Sequence, residues 1–198
     1  MYLLYRRGMR GLECIGITIL LVACGGGGST EIDATTASDA RPADARPPDG
    51  STVDGNGICA ADPTPPGGAC PAECTGGCDG GVCTITCGPA GCADGTITCP
   101  PDFACAVVCA GVDACDTTVV NCPAQYACSV SCDQYDACGD LQLVCGAASC
   151  SIACLGGGGE ACGGAAVQCG AGACAATCAG VDTPTVTCGG ACTCAPCP

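Results

Sequence analysis

The chain has 198 residues, with 28 Cys, 33 Gly and 14 Pro, no His, no Trp, no Lys and a formal charge of −14. That is the composition of a disulfide framework, and it excludes a core built mainly from aliphatic and aromatic side chains. From Cys59 onward there are 26 Cys and 12 Asp or Glu but no basic residue, because all five Arg (Arg6, Arg7, Arg10, Arg41, Arg46) lie earlier. No ion pair can form within that stretch, and its field repels nucleic acid.

Residues 1–23 read as a leader. Arg6, Arg7 and Arg10 form a basic start, and an apolar run from about Ile15 to Ala23 ends at Cys24. About nine residues of helix reach near 13 Å, too short to cross a bilayer, so the segment is expected to be processed rather than folded. Leu21-Val22-Ala23-Cys24 resembles the lipobox of bacterial lipoproteins, in which the Cys is acylated and begins the mature chain. The resemblance implies lipidation of Cys24, attachment to a membrane and a place in the cell envelope. Gly25, where some bacteria use Asp to retain lipoproteins in the inner membrane, implies the outer membrane by default.

Residues 24–58 follow as the lipidated Cys and a Gly-, Pro- and Asp-rich linker, including Asp39-Ala40-Arg41-Pro42 and its near copy Asp44-Ala45-Arg46-Pro47. With no apolar periodicity it is expected to be a disordered tether of roughly 30 Å reach.

Residues 59–198 are a cysteine-rich repeat domain. Cys99, Cys105, Cys109 and Cys115 are followed by Cys122, Cys128, Cys132 and Cys138, with steps of 6, 4, 6 and then 7 in both units. The units beginning at Cys78 and Cys145 keep the 4 and the 7, and Cys169, Cys174, Cys178 and Cys188 form a decaying last copy. Midway in the four-residue step sits Ile85, Val107, Val130, Ile152 or Ala176, and two places before each closing Cys sits Ile97, Val120, Leu143, Val167 or Val186. A period of two puts such residues on one face of a strand, so each unit predicts two short strands. The fold class expected is all-β: a parallel β-helix, or solenoid, of about five coils, stapled by disulfides. In architecture, though not in motif, it is loosely similar to the disulfide-laced β-solenoids of some insect antifreeze proteins.

An exported chain meets oxidising conditions. Removing Cys14 with the leader and Cys24 to lipid leaves 26 Cys, enough for complete pairing. Cys105 and Cys109 on one strand would lie about 13 Å apart, beyond the ~7 Å reach of a bridge, so partners are expected on another strand or coil. A thiolate metal site is the competing reading, suggested by Cys192-Thr193-Cys194 and Cys194-x-x-Cys197. Export and the repeating gaps argue against it, and no metal and no cofactor are expected.

Catalysis has little to work with. Without His or Lys the chain lacks Ser-His-Asp and Cys-His arrangements, Schiff-base lysines and the P-loop lysine. Asp113, Asp136 and Glu160 each stand two residues before the fourth Cys of a unit, which predicts a like-charged column on one edge. Such a column could attract Ca²⁺. Some parallel β-helix enzymes cleave acidic polysaccharides with acidic clusters, but those lyases also use a basic group, which this domain lacks. Asp favoured by corner geometry is the simpler reading. Thr84-Ile85-Thr86, Thr96-Ile97-Thr98 and Thr185-Val186-Thr187 resemble the Thr rows of antifreeze solenoids, yet the intervening units break the rows and exposed strand Thr suffices. Phe103 and Tyr126 occupy equivalent positions and are expected to cap a corner.

The sequence therefore points to a lipid-anchored, non-catalytic structural or interaction protein of the cell envelope, with a protein or glycan as partner. The alternatives are a carboxylate-based polysaccharide-active enzyme or Ca²⁺-dependent adhesin on the same scaffold, and a thiolate metal-binding protein.

Overall fold

A computed structural model describes residues 59–156 and 160–198. Twelve strands form in chain order: β1 Gly77–Asp79, β2 Val82–Cys87, β3 Thr96–Thr98, β4 Ala104–Cys109, β5 Val119–Asn121, β6 Cys128–Cys132, β7 Gln142–Val144, β8 Cys150–Cys154, β9 Ala166–Gln168, β10 Ala173–Cys178, β11 Thr185–Thr187 and β12 Thr193–Ala195. Long and short strands alternate, so each turn of chain adds one strand to each of two sheets. The larger sheet runs β1-β2-β4-β6-β8-β10-β12 and the smaller β11-β9-β7-β5-β3. Every pairing is parallel except β1 with β2. This is the expected disulfide-stapled solenoid of about five coils, with β12 beginning a further turn that the Cys spacing did not announce.

Strand periodicity decides what is inside. Along β4 the residues Cys105, Val107 and Cys109 are buried while Ala104, Ala106 and Val108 are half-buried on the other face. Register then stacks like on like: Ile85, Val107, Val130, Ile152 and Ala176 form one column. Ile97, Val120, Leu143, Val167 and Val186 form a second column in the smaller sheet. Both columns are those read from the sequence. Their middle members are buried, and Ile97, Ala176 and Val186 near the ends are partly covered.

Two further columns are sulfur. Cys83, Cys105, Cys128, Cys150, Cys174 and Cys194 align at the starts of the long strands, and Cys87, Cys109, Cys132, Cys154 and Cys178 at their ends. All 26 cysteines from Cys59 onward are paired, in 13 bridges. Cys105 and Cys109 do not bridge each other, as their spacing requires. Their partners are nonetheless nearer than expected. Cys105 pairs with Cys99 and Cys109 with Cys115, each 6 residues away in an adjoining corner of the chain rather than on another strand or coil. A corner already brings Cα atoms within 5.9 Å, which a strand cannot do at this separation. Cys122–Cys128, Cys132–Cys138, Cys145–Cys150, Cys154–Cys162 and Cys169–Cys174 repeat the scheme.

The ends depart from the repeat. Cys78, which the spacing presents as the start of a first unit, lies in β1 and pairs with Cys70, while Cys74 pairs with Cys83. This antiparallel hairpin closes the exposed edge of β2, where an unpaired strand would otherwise template association. At the other end Cys178 pairs with Cys197 and Cys188 with Cys194.

Residues 59–74 form a strap along the corners that precede the long strands. Cys59 is bridged to Cys192, the Asp62 carboxylate accepts hydrogen bonds from the Ser149 amide and hydroxyl, and the Gly67 amide donates to the Asp102 carbonyl at 3.1 Å. Phe103 is buried at its corner beneath this segment, where its Cε1 lies 4.0 Å from a Cβ built on Gly67, and Tyr126 is half-buried. The corner-capping expectation is met at Phe103.

Two substitutions test this packing. Leu143→Ala opens a cavity in the smaller sheet's column and is expected to cost 2–5 kcal/mol in denaturant unfolding of the oxidised protein. Gly170→Ala should also destabilise, because its Cβ would fall 1.6 Å from the Gly146 carbonyl oxygen of the preceding coil. An Ala at Gly190, where a Cβ meets nothing within 4 Å, is the matched control and should unfold at nearly the wild-type denaturant concentration.

Candidate functional site

The corners that follow the long strands collect most of the domain's charge. After β2, β4 and β6 the chain turns twice, and each of these corners has left-handed backbone at two positions. Ala90, Asp113 and Asp136 take φ of 51°, 55° and 52° at one stacked position, and Asp94, Thr117 and Asp140 take 57°, 51° and 49° at the next. Asp tolerates this region better than most residues because its short side chain can hydrogen-bond locally. The corner-geometry reading of Asp113 and Asp136 is thereby met.

The stack also has its own backbone ladder. The Cys92 amide donates to the Ala114 carbonyl at 2.9 Å, Cys115 to Ala137 at 2.7 Å and Cys138 to Ala161 at 2.8 Å. The Asp136 amide donates to the Glu160 carbonyl at 3.2 Å, which places those two residues one above the other. Asp113, Asp136 and Glu160 do come together, as their spacing predicts.

Three further carboxylates join them. Asp116 and Asp140 lie close enough to act on Asp136, and Asp94 accepts a hydrogen bond from the Thr117 hydroxyl. The signal for Asp94 and Asp140 was available in the chain: each stands two residues after the closing Cys of its corner bridge.

Asp136 feels this crowding. Partial burial, then the charges of Asp116, Asp113, Glu160 and Asp140, hold its carboxyl above the usual carboxylate range. The Tyr135 phenol is raised as well, first by its hydrogen bond to Glu160 and then by the same negative field. No basic group offsets the charge, since residues 59–198 contain none. The edge can therefore take up protons or cations. Residues 59–198 hold no Lys, Arg or His that could steady a developing oxyanion beside it.

The sulfurs are arranged otherwise than a thiolate site needs. Cys192, Cys194 and Cys197 go to three different partners, Cys59, Cys188 and Cys178. Two groups, Cys70 with Cys74 and Cys78, and Cys122 with Cys145 and Cys150, bring sulfurs within 4.8 Å, but every member is already in a bridge. A bridged sulfur is not the thiolate that binds metal.

Cys24 lies outside the described residues. Among those residues no helix is long and apolar enough to cross a membrane. No protein-family model, curated protein or solved structure matches the chain.

The raised carboxyl carries a sign. Asp136 binds its proton more tightly in the folded than in the unfolded chain, so stability falls as pH rises from its unfolded pKa through its folded pKa. Asp136→Asn, which tolerates the same φ, should raise the melting temperature at pH 7 by about 1–3 °C after allowance for solvent screening. At pH 3 the gain should vanish.

Proposed function

We propose that this chain is a lipid-anchored protein of the cell envelope whose domain serves as a durable structural or interaction module rather than a catalyst. The observation that carries the reading is the order of parts: a basic and apolar start that reads as a leader up to Ala23, Cys24 with a Gly- and Pro-rich stretch that reads as a tether, and then a domain with every sulfur paired. Complete pairing fits an oxidising compartment, and bridges in short loops contribute about 2 kcal/mol each by restricting the unfolded chain. A domain with few large apolar side chains and no internal ion pairs gains most from such loops.

Surface chemistry supports the same reading. Outward positions of the long strands carry small uncharged residues, such as Ala106 and Val108, Ser129 and Ser131, and Ser151 and Ala153. The acidic residues of the solenoid lie in its corners, strap and cap, apart from Asp79 at the end of β1. Flat faces bordered by charge suit a partner that lies along the rod, a protein or glycan.

Intact mass of the protein recovered from the producing cell tests the proposal. A mature chain beginning at Cys24 with an acyl mass increment, and no alkylation before reduction, is expected. After reduction all 26 domain cysteines should alkylate. An unmodified Cys24 would remove the anchor, and many alkylatable thiols in the native protein would favour the thiolate metal reading. Release of reducing ends from acidic glycans, abolished by Asp136→Asn, would favour the enzyme.

A further inference from the structure

The strap departs from the repeat: the chain passes the last coil of the solenoid before it reaches the first. Cys59, the first described residue, is bridged to Cys192, 133 residues later and beside β12. From there the segment runs back against the direction of coil growth. Asp62 meets Ser149 at the fourth coil, Gly67 meets Asp102 at the second, and the Pro65 side chain lies 3.5 Å from a Cβ built on Gly81, just before β2. The bridges of Cys70 and Cys74 then pin it to the cap.

The lengths agree. From β2 to β12 the larger sheet takes five strand-to-strand steps, about 24 Å, and eight extended residues from Cys59 to Gly67 reach about 26 Å. The strap is thus nearly taut along the stack, held by a bridge at the far end and by two at the near end.

We propose that this domain is mounted by its last coil: the Cys59–Cys192 bridge is the mounting point, and the cap built from β1 with Cys70 and Cys74 is the presented end. Covalent continuity makes the argument. Whatever precedes Cys59 departs from the β12 end, although in sequence it adjoins the cap. A load between that preceding chain and the cap passes through the strap and leaves the coils bridged in parallel with it. The larger sheet's edge at the presented end is the one covered by the antiparallel β1 hairpin, which suits an exposed tip. The direction relative to a membrane rests on the anchor reading of Cys24, whereas the mounting does not.

The oxidised protein starting at Gly25 serves as the sample, with spin labels on unnatural residues so that no cysteine is disturbed. Labels at Gly57 and Pro198 should give a shorter distance than labels at Gly57 and Asp79, by roughly 20 Å. Peptide mapping without reductant should yield a Cys59–Cys192 cross-link. The double variant Cys59→Ser, Cys192→Ser keeps the other 12 bridges and should broaden the Gly57–Pro198 distribution while leaving that between Asp79 and Pro198 in place. Equal distances, or the shorter one to Asp79, would overturn the proposal, as would a map in which Cys59 pairs near the cap. In vesicles carrying the full lipidated chain, a lipid-borne quencher should dim a label at Pro198 more than one at Asp79. If that chain does not associate with vesicles, the anchor reading fails while the distances still decide the mounting.

Discussion

Two cystine bridges at the ends of each long strand set the terms for the rest of the solenoid. A strand buries one side chain in two, and here most buried strand positions are Cys flanking a single Val or Ile. Such a core is thin. By closing the corners between β2 and β10 over 5 to 8 residues, the bridges limit the unfolded chain and fix where the strands between them begin and end. Register follows, because sulfur columns can align only when every coil starts its long strand at the same place. The variable lengths of the repeat fall inside the covalent loops, where an added residue lengthens a corner without shifting a strand.

Closed corners also explain where charge can go. A chain with no cation in 140 residues must keep its carboxylates in water, and the inward strand positions are buried. The corners after β2, β4 and β6 accept Asp because two positions in each require left-handed backbone. Repetition then stacks like charge on like charge, and Asp136 in mid-column shows the strain of that arrangement in its raised pKa. Conformational demand and electrostatic preference conflict at this edge. The backbone wins because the bridges and the coil-to-coil hydrogen bonds hold the corner in place.

The strap supplies what a simple stack lacks. Neighbouring coils are joined by hydrogen bonds and continuous chain, so a solenoid frays most readily from its ends. Here one end is folded under a doubly bridged hairpin and the other is tied back by Cys59. The unit is thereby closed on itself, and its outgoing chain is moved to the end opposite its first coil.

Local repetition was legible in the sequence. The i, i+2, i+4 pattern of Cys, Val and Cys, with the apolar residue two places before each closing Cys, gave both buried columns and two strands per unit, and the recurring steps of four and seven residues gave the meeting of Asp113, Asp136 and Glu160, because a period of two and fixed steps leave one way to align them. The expectation that the 26 domain cysteines pair completely also agrees with the 13 bridges. Which sulfurs pair was not legible, since strand geometry rules out Cys105 with Cys109 but cannot show that a corner of six residues brings Cys99 or Cys115 within reach. The departure of Cys78 into an antiparallel hairpin, the extra strand β12 and the path of residues 59–74 were likewise settled only by tertiary structure. Each is an end effect, made once, by contacts between residues far apart in the chain, and a repeat carries no information about how it stops.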